Sequence, residues 1–258
     1  MPIVESYAPG TPSWVDLASP DLAASVAFYT SLFGWEAKDQ GPESGHYTMM
    51  ELRGLPVAGA ATLMMDGQPP AWTTYVTVED ADAAVAKAKE AGATVFVEPM
   101  DVLDVGRMAV FADPTGAAIA VWQPRLHQGA GLVNEPGSLV WNELNTRDVA
   151  AASAFYREVF GWTESPMDMG GSGMEYSEWQ LGGNTIGGML PMVEAIPAEV
   201  PSFWLAYFAT DDCDATVSAA TDLGATVMAA PMDIPAGRFA VLTDPTGAAF
   251  GVIAMQAA

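Results

Sequence analysis

Apolar and polar positions along the chain follow one local pattern that recurs four times. Short apolar-rich runs at 13–18 and 139–145 read as opening strands. Asp21 and Asp148 then stand where an N-cap accepts the first free amides of a helix. Behind them Val26, Tyr29 and Leu32, or Ala152, Phe155 and Val159, recur at helical spacing, and Gly34 and Gly161 mark the ends. Two extended segments follow each helix, 47–52 with 57–65 and 176–181 with 186–192, joined by turns containing Gly or Asn. A second unit opens at Trp72 and Trp204, with acidic caps at Asp80 and Asp212 and helices that stop at Gly92 and Gly224. A short strand to Pro99 or Pro231, a Gly-Arg strand, an Asp-Pro-Thr-Gly turn and a last strand complete it. In that turn Pro presets φ, Asp bonds nearby backbone and Gly takes φ > 0.

The pattern is a duplication. Gly106-Arg107-Met-Ala-Val-Phe-Ala-Asp113-Pro-Thr-Gly returns as Gly237-Arg238-Phe-Ala-Val-Leu-Thr-Asp244-Pro-Thr-Gly. Trp14-Val-Asp16-Leu and Ala27-Phe-Tyr…Phe33-Gly-Trp35 return as Trp141-Asn-Glu143-Leu and Ala154-Phe-Tyr…Phe160-Gly-Trp162. A period this long means a duplicated domain, not a solenoid unit of roughly 20–50 residues. The expected domains are 1–128 and 129–258, with the boundary in the Pro- and Gly-bearing stretch 123–136. Function is expected where the copies face each other and where they differ. His127, in that stretch, is expected to be a solvated loop residue.

Composition narrows the partners. Half of the 258 residues are hydrophobic, enough for real cores. No apolar run approaches the roughly 18–20 residues that cross a bilayer, and the start of the chain lacks the features of a secretory signal. The single cysteine, Cys213, suits a reducing, cytoplasmic setting and reads as structural. With 32 acidic against 9 basic residues the formal charge is −23, which disfavours nucleic acid and anionic membranes. A multiply anionic substrate is disfavoured and a neutral small molecule is easier to admit, taken up by a monomer or homodimer.

The strand, then Asp-Leu-x-x-Ser-x-x-Phe-Tyr-x-x-x-Phe-Gly-Trp, then Asp-Pro-Thr-Gly before a terminal strand, resembles the vicinal oxygen chelate superfamily. That superfamily includes glyoxalase I, bleomycin-resistance proteins and extradiol dioxygenases, and the likeness is greatest to tandem glyoxalase-like proteins of actinobacteria. The resemblance implies an α+β fold in which tandem βαβββ units form curved mixed sheets around an open cup, with a divalent metal at its floor. Carried over residue by residue, the family's ligand on the opening strand falls on Trp14 and Trp141, and that on the closing strand on Ala120 and Gly251. An indole only donates, and Ala and Gly offer no side-chain ligand, so no metal or other cofactor is expected.

Strand alternation puts Asp16 on the same face as Trp14, Glu143 and Asn145 on the face of Trp141, and Trp122 and Ile253 on the face of Ala120 and Gly251. The sharp reading is a pocket for a hydrophobic aromatic molecule, such as a polyketide-like secondary metabolite. In it Trp14, Trp141, Asn145, Trp122, Tyr75 and Tyr207 bind, while Asp16, Glu143 and His46 move protons in lyase, cyclase or isomerase chemistry. Met49, Met50, Met64, Met65, Met189 and Met192 would form an adaptable wall. The plainer reading makes Trp14 and Trp141 core residues, with the acids bonded to backbone or to Arg107 and Arg238. The alternatives in function are a protein that sequesters a drug or toxic metabolite without turnover, and a metal-dependent glyoxalase. Carboxylates alone holding a hard cation is a further option.

Overall fold

A computed structural model describes residues 3–65, 67–168, 175–193 and 196–256. The first copy runs β1 (Pro12–Ser19), α1 (Leu22–Phe33), β2 (Glu36–Asp39), β3 (Thr48–Leu52), β4 (Leu55–Thr62), β5 (Ala71–Thr77), α2 (Ala81–Glu90), β6 (Thr94–Val102), β7 (Gly106–Ala112) and β8 (Ala118–Pro124). The second repeats it as β9 (Leu139–Thr146), α3 (Val149–Phe160), β10 (Thr163–Asp168), β11 (Glu175–Leu181), β12 (Asn184–Pro191), β13 (Phe203–Ala209), α4 (Cys213–Asp222), β14 (Thr226–Ile234), β15 (Gly237–Thr243) and β16 (Ala249–Met255). Each copy closes its own eight-stranded mixed sheet, ordered β2-β3-β4-β1-β5-β8-β7-β6 in the first and identically in the second.

Local chemistry sets the helix ends as the pattern predicts. The carboxylates of Asp21, Asp80, Asp148 and Asp212 each accept from the amide three residues on, at 2.9–3.0 Å. Gly34 and Gly161 end α1 and α3 in the left-handed region, at φ 70° and 74°. In each Asp-Pro-Thr-Gly turn one aspartate oxygen accepts from the Thr amide, the Thr hydroxyl and the amide of the Ala after Gly.

The copies join back to back through their helix-bearing faces. One apolar core combines Val15, Leu17, Phe28, Tyr29 and Trp35 of the first copy with Phe208, Val217, Leu242 and Phe250 of the second. A second core mirrors it, with Phe111, Ile119 and Val121 against Phe155, Tyr156 and Trp162. Polar bonds cross the same boundary. The Tyr156 hydroxyl donates to Asp113 at 2.9 Å, Thr74 donates to Asn142 at 2.8 Å, and the indoles of Trp35 and Trp162 donate to the carbonyls of Gly137 and Gly10. Most of the face between the copies is therefore filled core. The concave faces point outward, one cup on each side.

Cys213 is buried at the start of α4, where burial pushes its thiol up to about 11. Among the described residues no helix is long and apolar enough to cross a membrane.

Candidate functional site

On β1 the side chains of Trp14 and Asp16 point into the first cup, while Val15 and Leu17 enter the core. Pairing with β5 sets Trp14 opposite Tyr75, and parallel pairing with β8 sets Tyr75 opposite Ala120. The Tyr75 hydroxyl donates to Asp16 Oδ2 at 2.9 Å, and Tyr47 on the approach to β3 donates to the same oxygen at 3.3 Å. Trp14 Nε1 in turn donates to Tyr47 at 2.9 Å. Among the described residues Oδ1 of Asp16 takes no hydrogen bond, and Asp16 keeps part of its surface open to the cup. The aromatic rings around the carboxyl strip away enough water to push its pKa up to about 6, against the opposing pull of the two phenols.

The second cup repeats the network. Tyr207 donates to Glu143 Oε1 at 3.1 Å, Trp141 Nε1 donates to Tyr176 at 2.9 Å, and Asn145 adds a donor to Glu143 at 3.3 Å. Burial raises the Glu143 pKa, while hydrogen bonds from Tyr207, Tyr176 and Asn145 pull it down. In both cups a glycine makes room for the second tyrosine. A Cβ at Gly59 or Gly188 would overlap the hydroxyl of Tyr47 or Tyr176. Sequence reasoning named neither tyrosine as a site residue. The usable signal was the pairing of a recurring Tyr with a recurring strand glycine across β3–β4 and β11–β12.

Several expectations need correction. Asp16 and Glu143 do not form one acid–base pair, because each strand pairs within its own copy and the two acids lie in separate, outward-facing cups. Trp14 is no open pocket wall. It is only 4% exposed, covered by His127 at a ring distance of 4.5 Å and packed with Ala130. His127 is therefore not a solvated linker residue. Burial pulls its pKa down to about 4, and its buried Nε2 has no partner among the described residues.

His46 lies on the surface against Asp39, with Nδ1 2.8 Å from Oδ2, and does not join the Asp16 group. Trp122 is buried and donates to the His127 carbonyl at 2.8 Å. Of the methionines expected in the wall, only Met49 packs with the cup residues. Met50 and Met189 are in the helix-side cores, Met64 and Met65 are exposed, and Met192 follows β12. Met108, not anticipated, joins Met49. Arg107 and Arg238 pair with Asp82 and Asp101 and with Asp214 and Asp233, not with the cup acids.

The stretch 125–131 closes one end of the first cup. Arg125 and His127 donate backbone bonds to Val105, Ala130 to Ser13 and Gly131 to Pro56. Two surface depressions lie outside the cup floors. The larger, about 490 Å³, is lined by Leu32, Phe33, Pro136, Thr210, Asp212 and neighbours between α1 and α4.

The donor set at the floor does not fit a divalent metal. Trp14 and Trp141 spend their indole N–H on tyrosines, and Ala120 and Gly251 carry no ligand atom. Among the described residues no group of three or more His, Cys, Asp or Glu could close around an ion.

Two outward cups built from paired βαβββ units define the class, and comparison with known families agrees. Residues 11–121 match the Glyoxalase/Bleomycin resistance protein/Dioxygenase superfamily and residues 141–253 match the Glyoxalase-like domain, so the chain belongs to this superfamily. Two curated relatives match along nearly the whole of both chains. The putative glyoxylase CFP32 of Mycobacterium tuberculosis is 45% identical over 98% of both chains. The anthracycline biosynthesis protein DnrV of Streptomyces peucetius is 42% identical over 97% of this chain and 95% of its own. Among solved structures, the Mn(II)-bound glyoxalase from Novosphingobium aromaticivorans has a TM-score of 0.63 at 17% identity, covering 95% of this chain and 82% of its own. The 2,3-dioxygenase LapB from Pseudomonas sp. KL28 has 0.64 at 13%, covering 96% and 92%. At those identities the likeness is one of fold.

Proposed function

We propose that the first cup binds a hydrophobic aromatic small molecule and that Asp16 acts on it as a metal-independent acid–base catalyst. One observation carries this reading: a carboxyl whose pKa burial pushes up to about 6 sits among aromatic rings, with one oxygen fixed by two phenols and the other without a hydrogen bond among the described residues. A carboxyl so poised takes a proton from a carbon beside a carbonyl when ionised, and returns one to an oxygen or carbon when protonated. That is the step of a lyase, cyclase or isomerase. Tyr75 and Tyr47 hold the carboxyl in place, and as neutral phenols (burial raises both pKa values) they stay donors at neutral pH. The name of the Streptomyces relative, an anthracycline biosynthesis protein, favours a fused-ring substrate of secondary metabolism.

The test uses a hydroxyanthraquinone as probe, following tryptophan fluorescence for affinity and mass spectrometry for product. Asp16→Asn is expected to keep affinity within about threefold and to cut turnover by about 10²-fold or more. If affinity and turnover fall together, or the wild type yields no product, the catalytic reading fails and a sequestering protein is left.

A further inference from the structure

Strand pairing gives Asp16 one more neighbour with an unused polar atom. Across β1–β5 it stands directly opposite Thr73. Trp72 enters the helix-side core and Thr74 is buried and bonded to Asn142, while Tyr75 reaches Asp16 in the cup. Alternation along β5 therefore turns Thr73 into the first cup, where it keeps part of its surface open. Side chains opposed in this way on an antiparallel pair have Cβ atoms about 4.5–5.5 Å apart. Among the described residues Thr73 Oγ1 takes part in no hydrogen bond, and neither does Asp16 Oδ1. An unused hydroxyl and an unused carboxyl oxygen thus share one stretch of the cup floor.

The second copy lacks this pairing. Leu205 stands opposite Glu143 across β9–β13 and is only 4% exposed, packed in the cluster that contains Tyr207. The polar neighbour there is Asn145, two positions after the acid, which donates to Glu143 at 3.3 Å; the first copy has Ala18 in that place. In the second cup the extra donor is spent on the acid itself. In the first it is left for a ligand.

We infer that Thr73 is the substrate-positioning hydroxyl of the first cup, and that the substrate is an aromatic ketone with a C–H beside its carbonyl. This rests on the acid–base reading of Asp16. Thr73 donates its O–H to the carbonyl oxygen, which presents the neighbouring C–H to Asp16 Oδ1. The carboxylate takes that proton, the C–H electron pair becomes a C=C bond, and the carbonyl pair withdraws to oxygen as an enolate held by the Thr73 hydroxyl. Return of the proton from Oδ1 to the same carbon, or to a conjugated one, restores the carboxylate, and nothing is oxidised or reduced. A donor aimed at an oxygen that gains charge acts mainly in the transition state, so its loss falls on kcat more than on KM.

The test follows hydrogen–deuterium exchange of 2-tetralone in D2O by mass spectrometry, against the uncatalysed rate. Wild type is expected to accelerate exchange of the C–H beside the carbonyl. Thr73→Val, of nearly the same shape, should lower kcat at least about tenfold with KM changed less than about threefold, and Thr73→Ser should stay within about threefold of wild type in both. Tetralin, which lacks the carbonyl, should bind all three alike by tryptophan fluorescence. Thr73→Ala serves where Thr73→Val perturbs folding, as read by circular dichroism. The proposal is overturned if wild type does not accelerate exchange, if Thr73→Val and Thr73→Ala exchange like wild type, or if Thr73→Ser is as slow as Thr73→Val. Asp16→Asn separates the two readings. Exchange lost in Asp16→Asn but kept in Thr73→Val strikes the role of Thr73 alone, whereas Asp16→Asn exchanging like wild type strikes the acid–base reading and this one with it.

Discussion

The first and second cups share a tyrosine-held acid beside an indole and differ in what lies over it. In one, a stretch of chain between the copies packs onto Trp14 and leaves the acid reachable. In the other, the acid is buried with Tyr207 and Asn145 bonded to it, and Trp141 is partly exposed. The hydrogen-bond core is thus a scaffold common to both copies, and what differs is how much of the acid and of the indole a few neighbours leave exposed.

Titration gives the strongest way to break this comparison. Asp16 has a pKa near 6 in the fold against 3.8 in the unfolded chain. Its contribution is fully present below about pH 4 and is lost as pH rises through 6. Asp16→Asn should therefore raise stability at pH 8 relative to wild type, by up to about 3 kcal/mol, and leave it little changed at pH 4. Urea denaturation at the two pH values reads this directly. An equal gain at both would show that the carboxyl is not the titrating group.

His127 should pull the other way. Its folded pKa, about 4, lies below the unfolded 6.5, so stability is present above pH 6.5 and is lost as pH falls towards 4. At pH 5, His127→Leu is expected to recover about 2 kcal/mol. The two slopes oppose each other between pH 4 and 6.5, so relative to wild type Asp16→Asn should make stability rise more with pH there and His127→Leu should make it fall more. Variants whose thermal-melt profiles keep the wild-type slope would contradict this opposition.

A smaller effect sharpens the common scaffold. Gly59→Ala and Gly188→Ala should each cost about 1 kcal/mol, the low end for overpacking, since a tyrosine side chain can move aside. Gly59→Ala should also detach Tyr47 from Asp16 and raise the apparent pKa in a pH titration of ligand binding. Smallest of all, His46→Ala should alter neither ligand affinity nor the melting curve, as expected for a surface side chain that among the described residues pairs with Asp39 alone.

Legibility followed the range of the interactions involved. Helix caps, glycine stops and the Asp-Pro-Thr-Gly turns are settled within five residues, and the chain displays them openly. Period-two alternation was enough to put Trp14 with Asp16 and Trp141 with Glu143, and the repeat brought Tyr75 and Tyr207 to notice. The edge strands β2 and β10 were not located. β2, Glu-Ala-Lys-Asp, is exposed throughout and has no apolar face to announce it. Tyr47 reaches Asp16 across 31 positions through strand pairing that sequence periodicity does not encode. His127 misled for the opposite reason: a loop composition suggests solvent, but the loop is tied to Ser13 and Pro56 and has no freedom to leave.

The hydroxyl of Tyr156 reaching Asp113 in the opposite half has an implication for how such a molecule diversifies. Each half finishes its interior only by borrowing from the other, which is the arrangement of a twofold dimer whose subunits have been spliced end to end. In a true homodimer every substitution would appear on both sides at once. Here the splice frees each outer face to change alone, while the shared interior continues to hold both halves to one design.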